Sequence, residues 1–514
     1  MRAGEGTETG WPIAGRRWWA LGVLTVPVLL MSVDLTVLSL AVPHLSQDLA
    51  PSGTQLLWII DIYGVFLAGL LILMGAWGDR IGRRRLLLIG SAAFGVASVL
   101  AAFAWSPEVL ILARALLGVG GATLMPSTLS LIRSVFQDAT ERRRAISVWM
   151  AVFAGGAGLG PVIGGVLLEH FWWGSVFLIN VPIMIVLLII GPVLLPESKD
   201  PRPGPFDVLS VILLIAAILA VIFGFKDAGK QGWSFVSIAW ILGGILIAWT
   251  FTYRQRTLTH PLIDITLFRS LPFTVAVLAN VAGVFAMTGV LYFFPQYVQV
   301  VLQRSPLEAG LWSLPLAAGA ILGSLAAPSV ARALSMGWVI GFGLATAACG
   351  YLVLSFLGGN EAMLLSFTGG AFLGLGVGVA DTLTNDVIIG TAPADKAGAA
   401  AGISETAYEL GGAMGTAVLG SVGASLYTGT VAQNLAGELP DEVVGPASET
   451  VGAASGIATT LPPESAAPFM AVVSDAFVGA MTHTFFAAAV IVALAALGAV
   501  LALRKHRSTT QSDH

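Results

Sequence analysis

Charge is what this chain lacks. Of its 514 residues only 11% are Asp, Glu, Lys or Arg, against about 25% in ordinary soluble proteins. The single cysteine, Cys349, excludes an intramolecular disulfide, and its place in an apolar run predicts a buried, inert thiol. The six histidines are scattered and form no HExxH-like pair, so neither a metal centre nor a metal-dependent enzyme is expected. No cofactor and no nucleic-acid partner is expected either. Most loops are short, which leaves no room for a soluble catalytic domain. The start, MRAGEGTETGWPIAGRRWWALG, lacks a small-residue cleavage site after a short apolar core, so the first apolar run is expected to be retained.

What the chain does have is hydrophobic length. Hydrophobic residues make up 56% of the sequence, and the mean hydropathy is +0.87, which marks a polytopic membrane protein. Apolar runs of about 20 residues, the length of a bilayer-crossing helix, fall near 18–42, 58–77, 86–104, 109–132, 145–168 and 174–195. The run LPESKDPRPGP then interrupts the pattern. Two more follow near 206–225 and 233–253, and a last set near 272–295, 308–330, 338–357, 363–390, 398–424 and 477–503. The predicted fold is all-α with 14 spans arranged six, two and six. Its expected divisions are 1–195, a linker with two extra spans over 196–271, a second bundle over 272–503, and a tail over 504–514.

Charge placement tests this arrangement, because cytoplasmic loops carry the positive excess. With the N-terminus inside, the outer loops hold only Lys226, Lys230 and Arg304 of the 25 Lys and Arg. Arg114 lies within a span, and all the others fall on inner segments. A multi-pass protein of the cell inner (cytoplasmic) membrane is expected, monomeric, with both termini cytoplasmic. Twelve spans would require burying Lys226, Asp227 and Lys230. The stretch Tyr427–Ser474, without a single Lys or Arg, is read as an outer loop. It is either a flexible linker or a set of short helices over the outer mouth, and its Gly and Pro content favours the linker.

The charges inside the spans carry the chemistry. Asp34 lies within WWALGVLTVPVLLMSVDLTVLSLAVPHL; a carboxylate on a spanning helix costs about 2.5 to 3.5 kcal/mol on insertion scales, so it is expected to face a bundle interior or a wet cavity. There it binds a proton, a cationic substrate, or both in turn. Arg114, in LARALLGVGGA, lies at a similar depth; it either pairs with Asp34 or snorkels to the outer interface. Glu405 and Glu409 share one helix face at i, i+4, with Tyr408 beside them. Like charges so close in a low dielectric suit a site that takes up and releases a proton; alternatively the pair is satisfied by the backbone or by each other.

Near the outer end of the second span stand Trp58, Asp61 and Tyr63. The aromatics are either interfacial anchors or, with the acid, a receptor for a lipophilic cation through contacts worth about 0.5 to 2 kcal/mol. Asp381 and Asp386, toward the inner end of the twelfth span, either line an inner proton path or, for Asp386, meet interfacial water. The apolar body of the tenth span, LWSLPLAAGAILGSLAAP, carries no acid.

Three further stretches concern packing and movement. GAWGDRIGRRRLL joins the second and third spans: Gly75 permits close helix contact, Gly82 a tight turn, and Asp79 is within reach of Arg83. With Arg80, this forms a charged latch suited to holding one helix bundle against another on the inner side. GAGLGPVIGG in the fifth span places Gly160, Pro161 and Gly164 where small residues let helices approach and proline removes a stiffening hydrogen bond.

In this order and at these positions, the latch, the Arg114 stretch and the glycine-proline motif resemble the signature motifs of the major facilitator superfamily. VDLTVLSLAVP resembles the first-span motif of its fourteen-span drug:proton antiporters. PSGTQLLWIIDIY and AGISETAYELGGAMG resemble segments of multidrug exporters of quaternary ammonium compounds and other lipophilic cations. The resemblance runs through nearly the whole chain and is strongest before Ser198. It implies two six-helix bundles flanking a central cavity, two inserted helices, and proton-coupled efflux by alternating access. Some relatives have adjacent acids where this chain has Ser404 and Glu405, which leaves proton stoichiometry open; the acid-free body of the tenth span does the same for doubly charged substrates. The rivals are an exporter of a neutral or anionic antibiotic or metabolite, an uptake symporter, and a non-transporting receptor.

Overall fold

The computed structural model describes residues 14–199, 207–259, 261–333, 335–358, 362–393, 396–435 and 439–503. The tail 504–514 and the extreme N-terminus lie outside the described residues. In a bilayer every backbone polar group must find its partner within the segment, and long apolar runs therefore become helices. In the first half these are α1 (Ala14–Leu49), α2 (Gly53–Ile81), α3 (Arg83–Ala102), α4 (Pro107–Val135), α5 (Ala139–His170), α6 (Ser175–Leu178) and α7 (Asn180–Leu194). The inserted pair is α8 (Val208–Gln231) and α9 (Phe235–Thr257). The second half comprises α10 (Leu271–Gln296), α11 (Pro306–Trp312), α12 (Leu314–Ala333), α13 (Met336–Leu354), α14 (Ala362–Thr391), α15 (Ala397–Gly415), α16 (Ser421–Leu435), α17 (Asp441–Glu449), α18 (Val451–Ala458) and α19 (Pro463–Leu503).

Several starts are written locally. Ser52 and Gln55 form a reciprocal capping box at α2, and Asp138 accepts from the Thr140 and Glu141 amides at α5, satisfying donors that a helix start leaves free. Among the described residues, thirteen helices are long and apolar enough to cross a membrane. The remaining expected span, 398–424, is built as α15 and α16 joined through a π turn at Thr416–Gly420.

Packing divides the helices. In the first half α1 lies against α4 and α5, α2 against α4, and α3 against α4 and α7; in the second half α12 lies against α14, α13 against α14 and α19, and α10 against α15 and α19. Small residues set the closest approaches. A Cβ added at Gly160 would meet Thr36 Oγ1 at 2.0 Å, and one at Gly164 would meet Val37 Cγ2 at 2.4 Å, so this face of α5 is flush against α1. The hairpin α8–α9 is not a peripheral connector. Its α8 packs on α2 and on α16, and an apolar cluster of Val65, Ile218, Ile222, Ala413 and Ala417 fills the seam.

Four expectations need correction. Lys226, read as an outer-loop residue, is on α8 and buried. The helix continues to Gln231, past the point where the charged residues suggested its end. Cys349 is exposed rather than buried, because α13 turns that face away from its neighbours. Tyr427–Ser474 is largely helical: α17 and α18 cross it, and α19 begins at Pro463, well ahead of the expected span. Here tertiary contacts override composition, since Tyr427 and Thr428 donate to the Ala447 and Ser448 carbonyls and the Gly53 amide donates to Glu449 at 2.9 Å.

The latch also differs from expectation. Gly82 turns with φ of +111°, Asp79 pairs with Arg83, and Glu197 accepts from the Arg84 amide at 3.0 Å while facing the Arg84 and Arg85 guanidiniums. The Arg83 amide donates to the Ser198 carbonyl. These partners all belong to the first half of the chain, because the segment leaving α7 folds back beneath the α2–α3 turn. Among the described contacts the latch ties the second, third and sixth spans together.

Candidate functional site

Two ion pairs lie buried among the helices. Arg114 Nη1 donates to Asp34 Oδ2 at 2.6 Å, and its Nε donates to the Ile59 carbonyl at 3.1 Å. The guanidinium stacks over Tyr63, 4.7 Å from the ring centroid, with Phe177 beyond. Arg114 therefore pairs with Asp34 rather than snorkelling. The other pair was not foreseen: Lys226 Nζ is 2.8 Å from Asp61 Oδ2, both side chains are 1% exposed, and the ammonium sits 3.8 Å over the Trp58 ring. The Asp61 carboxylate and the Trp58 ring thus hold a lysine of the protein itself.

Deeper in, the acids change character. Glu409 is buried, Glu405 and Tyr408 are half-buried, and all three sit on α15. Asp381 on α14 accepts from Asn280 Nδ2 at 2.6 Å and lies within electrostatic reach of Glu405; Tyr408 stands in the field of all three acids. Glu409 Oε2 reaches α2, where a Cβ added at Gly64 would lie 3.4 Å from it. Among the described residues no ion pair is recorded for Glu405, Glu409 or Asp381. Asp386 is exposed near the C-terminal end of α14.

Two cavities connect these groups. A chamber of about 100 Å³ is lined by Asp61, Tyr63, Arg114, Tyr292, Glu409 and Thr416. A larger cavity of about 600 Å³ has mostly apolar walls, among them Met150, Phe153, Phe294 and Trp312, with Asp381 and Tyr408 as its ionisable groups. Ser39 and Leu291 line both, so the polar chamber adjoins the apolar one. Asp34 lines neither; it is turned onto Arg114, which does face the chamber. An apolar hall with a single carboxylate, Asp381, on its wall can hold a bulky organic molecule while meeting its charge at a defined place.

Sequence reasoning missed Lys226, Asn280 and Thr416. Asn280 was findable as a lone amide in the apolar run of α10; Lys226 was hidden by the charges that follow it.

The Major Facilitator Superfamily pattern matches residues 25–416. The chain is 44% identical over 501 residues to the multidrug efflux pump LfrA of Mycolicibacterium smegmatis, covering 98% of this chain and 99% of that protein. It is 35% identical to the methyl viologen resistance protein SmvA of Salmonella typhimurium, over 95% of this chain and 99% of that one. It is also 33% identical to a tetracenomycin C resistance and export protein of Streptomyces glaucescens, over 96% and 93% of the two chains. Among solved structures it resembles a bacterial homologue of the human lysosomal transporter Spinster in an inward-facing, unoccupied conformation, with a TM-score of 0.66 and 17% identity over 96% of this chain and 99% of that one.

Proposed function

The chain belongs to the major facilitator superfamily, a multi-pass membrane transporter and not an enzyme, and from that premise we propose that it is a proton-coupled efflux antiporter of lipophilic cations. The halves 1–195 and 272–503 rock about the central cavity by alternating access, with 196–271 inserted between them, in the inner membrane with both termini cytoplasmic. The observation that carries this reading is the set of acids beside the two cavities, Asp381 on the wall of the apolar one, Glu409 on that of the small chamber, and Glu405 on the same helix as Glu409. The charges of Glu405, Glu409 and Asp381 are met by no protein cation among the described residues, which leaves a proton or a substrate cation to neutralise them. The efflux named for the relative LfrA and the methyl viologen resistance named for SmvA support export.

In this mechanism an organic cation enters the 600 Å³ cavity with its apolar body against Phe153, Phe294 and Trp312 and its charge toward Tyr408 and the Glu405, Glu409 face. Binding expels the protons these acids held. Few directional contacts are used, so many shapes fit. On the outer side protons reload Glu409 and Glu405 and release the substrate, and Asp381 returns them inward. Asp34 acts through Arg114: the pair fixes the guanidinium that faces the chamber and reports proton or cation occupancy there to α1.

The test is proton release on adding ethidium or tetraphenylphosphonium to detergent-purified protein. The wild type is expected to release protons, and Glu405→Gln or Glu409→Gln to bind with diminished release. Cation binding without proton release in the wild type removes the coupling. Folded protein that binds no cation shifts the substrate to a neutral or anionic compound.

A further inference from the structure

The Asp61–Lys226 pair stands apart from the proton-handling acids and has no place in the mechanism above. Its parts come from two units of the fold. Asp61 and Trp58 belong to α2, whereas Lys226 comes from α8, the first of the inserted helices. The ammonium is held as an organic cation would be, with a carboxylate at 2.8 Å and an indole face at 3.8 Å. The contact is a buried ion pair at ordinary hydrogen-bond distance, and a cationic ligand group of similar charge satisfies the same carboxylate and ring. Asp61 also lines the small chamber, which shares Ser39 and Leu291 with the large cavity. The chamber lies beside the hall at Ser39 and Leu291, so Asp61 faces the chamber while Lys226 reaches the carboxylate from α8.

Lys226 also has somewhere to go. It lies five residues before the end of α8 at Gln231, about 7.5 Å along the axis from the outer helix end, within the span that a flexible lysine stem covers when it snorkels. Exchange is balanced in charge: one cation leaves Asp61 as another arrives, so neither state strands a buried carboxylate.

We propose that Lys226 is a tethered cation occupying a second cation subsite formed by Asp61 and Trp58, and that a cationic substrate group displaces it. The inference rests on the exporter reading above and deepens it. Lys226 becomes a specificity-determining residue: a substrate reaches Asp61 only by outcompeting an internal lysine, and a ligand with two positive centres places one at the Glu405, Glu409 face and the other here. The inserted hairpin thereby senses substrate, since α8 is held to α2 by this pair and to α16 by packing at Gly229 against Ser421.

The experiment measures Lys226 in the wild-type protein. Acylation of lysine amines by a water-soluble succinimidyl ester, read by mass spectrometry of the peptide containing Lys226, is compared with and without saturating methyl viologen. Labelling is expected to rise about tenfold with the dication; labelling that is unchanged or reduced, in protein that binds methyl viologen, overturns the proposal. Binding is then compared in Lys226→Met and in Asp61→Asn/Lys226→Gln, whose neutral pair leaves no buried charge. The first is expected to bind methyl viologen about tenfold more tightly than wild type, with a smaller gain for tetraphenylphosphonium, and the second to lose the gain. Equal affinities in all three proteins overturn the proposal while leaving the exporter reading intact. Wild type that binds neither cation removes both.

Discussion

At the scale of single residues, the Asp34–Arg114 pair shows why lone charges in apolar runs come in twos. Each costs too much to leave alone in a membrane interior; together they share a 2.6 Å contact, and Arg114 uses further donors and its flat face on Ile59 and Tyr63. Removing one partner is therefore worse than removing both. Arg114→Met is expected to destabilise the protein by about 3 to 5 kcal/mol because Asp34 is left uncompensated, while Asp34→Asn/Arg114→Gln costs clearly less. Thermal unfolding of the detergent-solubilised variants measures the difference, and equal losses would show that the pair is not coupled. This pairing was legible from the sequence, since both charges interrupt otherwise apolar helices at matching depth. The Lys226 pair was not. A lysine followed by Asp227 and Lys230 reads as a loop, and only the length of α8 and its seat against α2 reveal that the first of the three turns inward.

At the scale of elements, glycine spacing governs how closely helices meet. The Gly160 and Gly164 positions leave no room for a side chain against Thr36 and Val37, so Gly160→Val is expected to cost about 1 to 3 kcal/mol by overpacking and to slow transport. Gly243→Ala on α9, where nothing lies within 4 Å of the added carbon, is the control and should leave the melting temperature unchanged. The sequence indicated this face correctly, because small residues at i, i+4 are a packing signature in any membrane helix. It misjudged the outer segment: glycine and proline lower intrinsic helix propensity, and what fixes α17 and α18 is their contact with α1, α2 and α16, which no local pattern encodes.

A second element-scale contact is electrostatic. Asp264, just ahead of α10, pairs with Lys396 at the start of α15 at 2.6 Å and accepts from the Thr266 amide. The Lys396 ammonium first, and Thr266 after it, hold the Asp264 carboxyl below its ordinary value. A carboxyl whose folded value is depressed contributes stability that is fully present above the unfolded value of about 3.9 and is lost as pH falls through the lower folded value. Asp264→Asn should therefore lower the melting temperature at neutral pH, and its difference from wild type should close as the solution is acidified below about pH 4. A difference that stays constant into strong acid would mean that the ion pair contributes nothing to holding these inner ends together.

At the scale of the whole molecule, one group of contacts between the two halves lies at the helix ends that the proposed orientation places outside, while α2 packs along α15 deeper in. Gln299 Nε2 donates to the Leu40 carbonyl at 3.0 Å, and the Leu307 amide reaches Glu169 at 3.4 Å. A Cβ on Gly310 would meet the Pro161 carbonyl at 2.4 Å, and α18 lies against α1 with Gly452 close to Ser46. An exporter that works by alternating access must break every one of these to let substrate out, so their energies oppose the outward-open state directly. In a Cys349→Ser background, Glu169→Cys with Leu307→Cys places two thiols across this seam. Bridging them with a short crosslinker is expected to abolish ethidium efflux from cells while leaving ethidium binding to the purified protein intact, because the cavity persists when the outer seam is held shut. Loss of binding together with transport would mean that the cavity itself depends on outer opening, and efflux that continues through the crosslink would mean that substrate leaves by a path the two halves do not gate.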